Sequence, residues 1–178
     1  MSFELTLSML PGWAPISTSV SYEQLLDQLG QNFAQGLDGK LSSMKVLKEP
    51  LGEIDRALRS VEHRLALATF LVSETDQALP VVVTFQPFDI DSNVDEVKAA
   101  WSQAGEVVDL DDDQVQGFVR SSTVEKTHSA MFGVIHEIVV HSPARVVATC
   151  FAPDAEVVGH EYVVPLLRGL RLTESSAS

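Results

Sequence analysis

The segment from Val134 to Val140 is apolar on both sides of a β-strand. Successive side chains of a strand point to opposite faces of the sheet, so the residues divide into two sets. One set is Val134, His136, Ile138 and Val140, and the other contains Ile135 and Val139. Because both sets must be removed from water, we expect helices on both faces of the sheet, or a partner on one face.

Four strand-like segments follow one another in the second half of the chain, joined by short polar connections. They are Val107–Leu110, Val115–Val124, Phe132–His141 and Arg145–Phe151. Consecutive strands with short connections pair in antiparallel fashion. The sequence therefore predicts an antiparallel meander, with residues 142–144 as a tight turn between its last two strands.

The N-terminal region predicts one strand and one helix. Apolar residues recur at every second position from Phe3 to Met9 and indicate a strand that ends at the turn Pro11-Gly12-Trp13. Ser21 and Gln24 have the spacing of a helix capping box. An amphipathic helix is therefore expected from there to about Gly36.

The middle of the chain predicts a further mixture of helices and strands. The predicted elements are helical turns between Met44 and Val61 interrupted near Pro50 and Gly52, strands at Leu65–Val72 and Pro80–Phe88, and a short helix from Val94 to Trp101. Asp91, Ser92 or Asn93 is expected to cap that helix, and Gly105 to close it.

The C-terminal region has apolar residues at helical spacing from Val157 to Leu170, and Pro165 is expected to divide this helix. Residues 173–178 are small and polar and predict a flexible tail. With a chain of 178 residues and about 150 residues per domain, we expect one domain over residues 1–172. Its predicted class is α+β, with a mostly antiparallel sheet of about six to seven strands flanked by helices in an α/β/α sandwich.

The charge composition restricts the partners. The chain has 12 Lys and Arg residues against 25 Asp and Glu residues, a formal net charge of −13. Nucleic acids and anionic membrane surfaces are bound through Lys and Arg, so neither is expected as a partner. The single cysteine, Cys150, excludes an intrachain disulfide. Without a signal-peptide pattern or an apolar run of membrane-spanning length, we expect a cytoplasmic protein.

The densest acidic cluster is Asp109, Asp111, Asp112 and Asp113. Convergent carboxylates bind calcium in helix-loop-helix sites, which also need Gly at the sixth position and Glu at the twelfth. Counted from Asp109, those positions hold Gln114 and Arg120. We therefore interpret the cluster as solvated turns and helix caps, with weak surface cation binding as the alternative.

His136, Glu137 and His141 lie on one predicted strand but do not form a metal site. His136 faces away from the other two, which are about 13 Å apart at 3.3 Å per residue. Cys150 alternates with Ala148 and is interpreted as a small apolar core residue. No G-x-S-x-G, G-x-x-x-x-G-K-[ST] or G-x-G-x-x-G sequence occurs, so neither a catalytic residue nor a cofactor is predicted.

The order of elements, the Pro11-Gly12-Trp13 turn and the closing helix over residues 164–170 resemble a known architecture. It is the α/β sandwich shared by PsbP, the Ran-binding Mog proteins, the LpqN-type lipoproteins and the DcrB-like proteins of bacteria. The resemblance implies a non-catalytic scaffold that binds proteins or peptides, and one branch is similar to acidic cytoplasmic chaperones for secreted effectors. The segment from Gly39 to Val61 is longer than the family pattern, and the lipid-bearing cysteine of the lipoproteins is missing.

Two functions from different classes remain open. The favoured one is a non-catalytic binding or adaptor module, chaperone-like, whose surplus apolar sheet face or helix groove receives a protein partner or a second copy of the chain. The alternative is a small enzyme or ligand carrier with an enclosed pocket lined by Trp and Phe residues. The candidate partner or pocket residues are Trp13, Trp101, His136, Ile138 and Val140, with Glu137 as a further polar candidate.

Overall fold

The computed structural model describes residues 2–8, 10, 12–16, 21, 23–24, 27, 52–59, 65–72, 78–88, 93–123, 134–142 and 144–175. Its strands are β1 (Ser2–Leu7), β2 (Ala14–Ile16), β3 (Leu65–Val72), β4 (Ala78–Pro87), β5 (Val107–Asp109), β6 (Gln116–Thr123), β7 (Val134–Ser142), β8 (Val146–Phe151) and β9 (Leu170–Ser175). Helix α1 spans 52–59 and helix α2 spans Val94–Ser102. These elements confirm the predicted α+β class with a mostly antiparallel sheet.

Seven strands form one sheet in the order β2-β3-β4-β8-β7-β6-β5, and every neighbouring pair is antiparallel. After β4 the chain crosses to the far edge of the sheet through α2 and starts again at β5. The meander β5-β6-β7-β8 then returns to the side of β4. The predicted meander is confirmed, and β5 is left as an edge strand.

The two faces of the sheet are distinguished by the strand register. The first face carries Ile138, Val140 and Cys150, and the second face carries Phe118, Glu137 and Thr149. Residues of both faces are buried, including Ile138 on the first face and Phe118 on the second. The prediction that both faces of this strand region are covered is therefore confirmed for these residues.

A segmented helix covers the first face. It consists of an α-helical turn (Ala155–Val158), a π-helical turn (Gly159–Val163) and a second α-helical turn (Val164–Leu167), which we call together the C-terminal helical segment. Its buried residues Val163, Leu166 and Leu167 pack with Ile138 and Cys150 in the main core. The chain stays helical through Pro165, so the predicted break takes the form of a π-helical turn that ends at Val163, two residues before the proline.

Helix α2 lies on the second face. Trp101 contacts Phe118 edge to face, with ring centroids 5.7 Å apart, and the Arg120 guanidinium stacks 4.3 Å from the Trp101 ring. Arg120 also donates to Glu137, which fixes the helix over β6 and β7. As predicted, Asn93 caps this helix, because its side chain accepts from the Asp95 N–H.

The N-terminus and C-terminus form a second, two-stranded sheet. β1 pairs with β9 from Ser2 opposite Ser175 to Leu7 opposite Leu170. The sequence predicts a flexible tail from Thr173, but Thr173, Glu174 and Ser175 belong to β9. The prediction was wrong there because the polar composition of the segment does not reveal the backbone hydrogen bonds offered by β1.

Two further expectations concern the N-terminal region. Ser21 and Gln24 form the predicted capping box, since each backbone N–H donates to the other side chain. Glu23, Gln24 and Asp27 are helical as predicted, and the other residues of the predicted helix to Gly36 lie outside the described residues, as does most of the segment 44–61 except α1. None of the described helices is long and apolar enough to cross a membrane.

Candidate functional site

A groove of about 570 Å³ opens on the first face where β5, β6 and β7 meet the C-terminal helical segment. The register places Ala148, Ile138, Val119 and Val108 in one continuous row across four strands. Exposure rises along this row, from fully buried Ala148 and Ile138 to 57% exposed Val108 at the sheet edge. The groove is therefore the part of the first face that the C-terminal helical segment does not reach.

The floor of the groove is apolar, and its rim is acidic. Val108, Leu110 and Val119 supply the apolar surface. The remaining lining residues are Glu106, Asp109, Asp111, Ser121, His136 and His160, so the described lining contains neither Lys nor Arg. Asp109 is already paired with Lys98 from α2, whereas Glu106 and Asp111 form no ion pair among the described residues.

A hydrogen bond between Ser121 and His136 lies at the inner end of the groove. The two residues are direct cross-strand partners, and Ser121 Oγ is 2.8 Å from His136 Nδ1. Ser121 is exposed, whereas His136 is only 7% exposed. This pair is the chemically most versatile feature of the groove, because an imidazole and a hydroxyl can exchange donor and acceptor roles.

The π-helical turn holds the His136 ring in place. A Cβ atom at Gly159, the first residue of this turn, would lie 2.8 Å from His136 Cδ2, which is closer than real contacts allow. Val164 N–H donates to Gly159 O, five residues earlier, as expected for a π-turn. Such turns occur often at functional sites. Here the turn places exposed His160 at the groove rim. It also places Gly159, which has no side chain, against the His136 ring.

The loop between β5 and β6 fixes the acidic rim. Asp112 Oδ1 accepts from the Gln114 and Val115 backbone N–H groups at 2.9 Å. Asp112 Oδ2 accepts from Arg168 Nη2 at 2.6 Å, which ties the loop to the end of the C-terminal helical segment. The hydrogen bond from Arg168 lowers the pKa of the Asp112 carboxyl below its ordinary value. The predicted turn role of this acidic cluster is confirmed for Asp112, but its side chain is only 5% exposed and precedes a strand, so it is neither solvated nor a helix cap.

The structure separates the residues proposed from the sequence. Ile138 and Val140 are completely buried in the core, so they do not form a partner surface. The sequence led to the wrong placement because its pattern does not show where a covering helix ends. Trp13 packs against the core on the first face, and Trp101 lies on the second, so they do not line one pocket.

Of the proposed residues, only His136 lines the groove. Glu137 lies on the opposite face as predicted, bound to Arg120. The sequence reasoning missed Ser121, Glu106, Val108 and His160 as groove residues. Val108 and Ser121 carried a signal, since each belongs to a predicted strand. The others become neighbours through cross-strand register and the position of the π-turn.

Among the described residues, the structure supports neither a reactive cysteine nor a cluster of metal ligands. Burial raises the pKa of the Cys150 thiol to about 12, so its reactive thiolate is suppressed at neutral pH. No group of three or more His, Cys, Asp or Glu residues suited to a metal occurs in the described part of the chain. His63 and His128 lie outside the described residues.

Comparison with protein-family models, curated proteins and solved structures finds no match to this chain. The similarity to the PsbP-like sandwiches therefore stays a prediction from the sequence.

Proposed function

We propose that this protein is a non-catalytic binding or adaptor module that receives a protein partner in the groove beside β5. The observation that carries the proposal is the uncovered end of the first face, where 57% exposed Val108 continues a row of core residues. An apolar surface that continues a core into solvent is typical of an interaction site. The acidic rim beside this apolar surface favours a positively charged partner over a negatively charged one.

The strand at this position supports the proposal. β5 is the last strand of the sheet, and no described strand pairs with its outer edge. An open edge beside an apolar groove is the arrangement that peptide-binding domains use when they add a strand from a partner. The PsbP-like resemblance, which implies binding of proteins or peptides, supports the same class of function.

Site-specific photo-crosslinking tests this function. Benzoylphenylalanine is placed at Val108 or, as the control, at Tyr162, which is 41% exposed and does not line the groove. In the cells that produce the protein, we expect Val108 to crosslink one recurring polypeptide and Tyr162 not to. Equal crosslinking from both positions, or none from Val108, would contradict the proposal.

A second candidate function rests on one observation, the hydrogen bond between Ser121 Oγ and His136 Nδ1. A serine beside an imidazole is the minimum for nucleophilic acyl transfer, with His136 as the base that accepts the hydroxyl proton. A fluorophosphonate probe tests it, because the probe reacts with activated serines. Labelling that disappears in Ser121→Ala and in His136→Gln would support the enzyme, and an unlabelled wild type would reject it.

A further inference from the structure

The backbone of β5 offers unpaired groups toward its open edge. Leu110 N–H donates to Gly117 O at 3.0 Å, so Leu110 and Gly117 form a hydrogen-bonded pair of the antiparallel ladder. Such pairs alternate along the ladder, which makes Val108 and Val119 the next one. The N–H and C=O groups of Val107 and Asp109 therefore point away from β6, where the described residues provide no strand.

The side chains next to this edge differ in charge and polarity. Glu106, Val108 and Leu110 all line the groove, and Val108 is placed on the first face by its pairing with Val119. Val108 is an apolar position, whereas Glu106 and exposed Asp111 are carboxylates without a described ion-pair partner. A ligand that removes Val108 from water at this place must lie beside two negative charges.

Resting on the proposed function, we infer that the partner supplies an extended cationic segment that adds a strand to the outer edge of β5. One apolar side chain of this segment lies opposite Val108 on the first face and packs against it. A Lys or Arg two residues away lies beside Glu106 or Asp111. Backbone hydrogen bonds to Val107 and Asp109 supply affinity, and the carboxylates exclude acidic segments by like-charge repulsion.

A designed peptide tests this inference on the whole protein. The probe, acetyl-SKSVSKS-amide with a fluorophore, carries Lys, Val and Lys on one side of a strand and Ser on the other. We expect saturable binding below about 1 mM peptide at low salt, measured by fluorescence anisotropy. Binding should weaken as salt is added, since part of it is electrostatic.

Two ligand variants test the charge preference and strand addition separately. The peptide with Glu in place of Lys should not bind. N-methylation of alternate backbone nitrogens removes the donors along one edge of the peptide. Methylation of one alternate set should abolish binding, and methylation of the other set should leave it unchanged, because only one edge faces β5. Equal effects of the two sets would overturn strand addition.

Protein variants locate the site. Glu106→Gln combined with Asp111→Asn should weaken binding about tenfold, because both carboxylates adjoin the ligand. The matched control, Glu23→Gln with Glu96→Gln, removes two exposed acids outside the groove lining and should leave binding unchanged. Equal losses in the two double variants would overturn the inference.

The two proposals can fail independently. If the Glu-containing peptide binds as well as the Lys-containing peptide, or if neither binds, the cationic segment is rejected. Crosslinking of a polypeptide from Val108 would in that case still support the binding function. If Val108 also gives no crosslink, the binding function is rejected as well.

Discussion

The centre and the edge of the first sheet face have the same type of sequence but opposite environments. At the centre, Ile138 and Ala148 are fully buried beneath the C-terminal helical segment. At the edge, Val108 belongs to the same cross-strand row and is 57% exposed. The difference shows that strand pattern places a side chain on a face, whereas the extent of the covering layer decides whether it is core or binding surface.

The two regions also differ in what surrounds them. The centre is covered by apolar side chains, with Val163, Leu166 and Leu167 in the same core cluster as Ile138 and Ala148. The edge has carboxylates and imidazoles beside its apolar floor. His136 lies at the boundary, because its ring is buried by the π-turn while it still lines the groove. Substitutions at the centre, at this boundary and at the edge should therefore differ in their effect on stability.

The largest effect is expected at the centre. Ile138→Ala removes methyl and methylene groups from a fully buried site and leaves a cavity. It should lower the free energy of unfolding by about 2–5 kcal/mol, measured by urea denaturation. Ile138→Val, as the milder control, should cost about 0.5–1.5 kcal/mol. A loss below the Val value for Ile138→Ala would show that the centre is not tightly packed.

The next largest effect is expected at the boundary. Gly159→Ala places a Cβ 2.8 Å from His136 Cδ2, so the ring or the π-turn must move. We expect a loss of about 1–3 kcal/mol in the free energy of unfolding and a shifted His136 ring resonance in NMR spectra. Gly105→Ala is the control, because its Cβ would meet only Arg120 Cδ at 4.0 Å. An unshifted His136 resonance would show that the ring is not held by the turn.

Much of the fold was predictable because its signals are local. The apolar runs of β3, β7 and β8, the Asn93 cap and the capping box at Ser21 each depend on residues close in sequence. β2 was missed because three residues are too few for a periodic pattern. Leu170 continued the helical spacing, but it begins β9, since pairing with β1 requires an extended backbone there.

The candidate site was much less predictable because it is assembled from distant segments. Ser121 meets His136 through strand register, and His160 reaches the rim through the π-turn. The sequence indicated a break at Pro165, which removes a backbone donor. It did not indicate that a π-helical turn, Gly159–Val163, would form before that proline and lie against His136. Register and helix phase are set by long-range packing, which a periodic pattern does not contain.

A smaller effect is expected from the contact that fixes the rim. Asp112→Asn keeps an oxygen for the turn but removes the charge that pairs with Arg168. We expect a loss of about 0.5–1 kcal/mol in the free energy of unfolding near neutral pH. Asp113→Asn, at an exposed position beside it, is the control and should change little.

The pH dependence of this difference has a definite sign. Because the pKa of Asp112 is lower in the folded protein than its ordinary value of 3.8, ionised Asp112 stabilises the fold above that pH. The stability gap between wild type and Asp112→Asn should therefore be complete above this value. It should shrink as the pH falls through the lowered pKa of the folded protein. A gap that stays constant through this range in urea denaturation would contradict the Arg168 contact.

The smallest effect is expected at the edge. Val108→Ala should change the free energy of unfolding by less than about 0.5 kcal/mol, because most of this side chain is already in water. The same substitution should weaken binding of the cationic peptide, since it removes apolar surface from the groove. Measuring stability at several protein concentrations separates two outcomes. A larger loss that grows with protein concentration would mean that a second copy of the chain covers Val108, which would make the edge an extension of the core in the assembled protein and remove its contrast with Ile138.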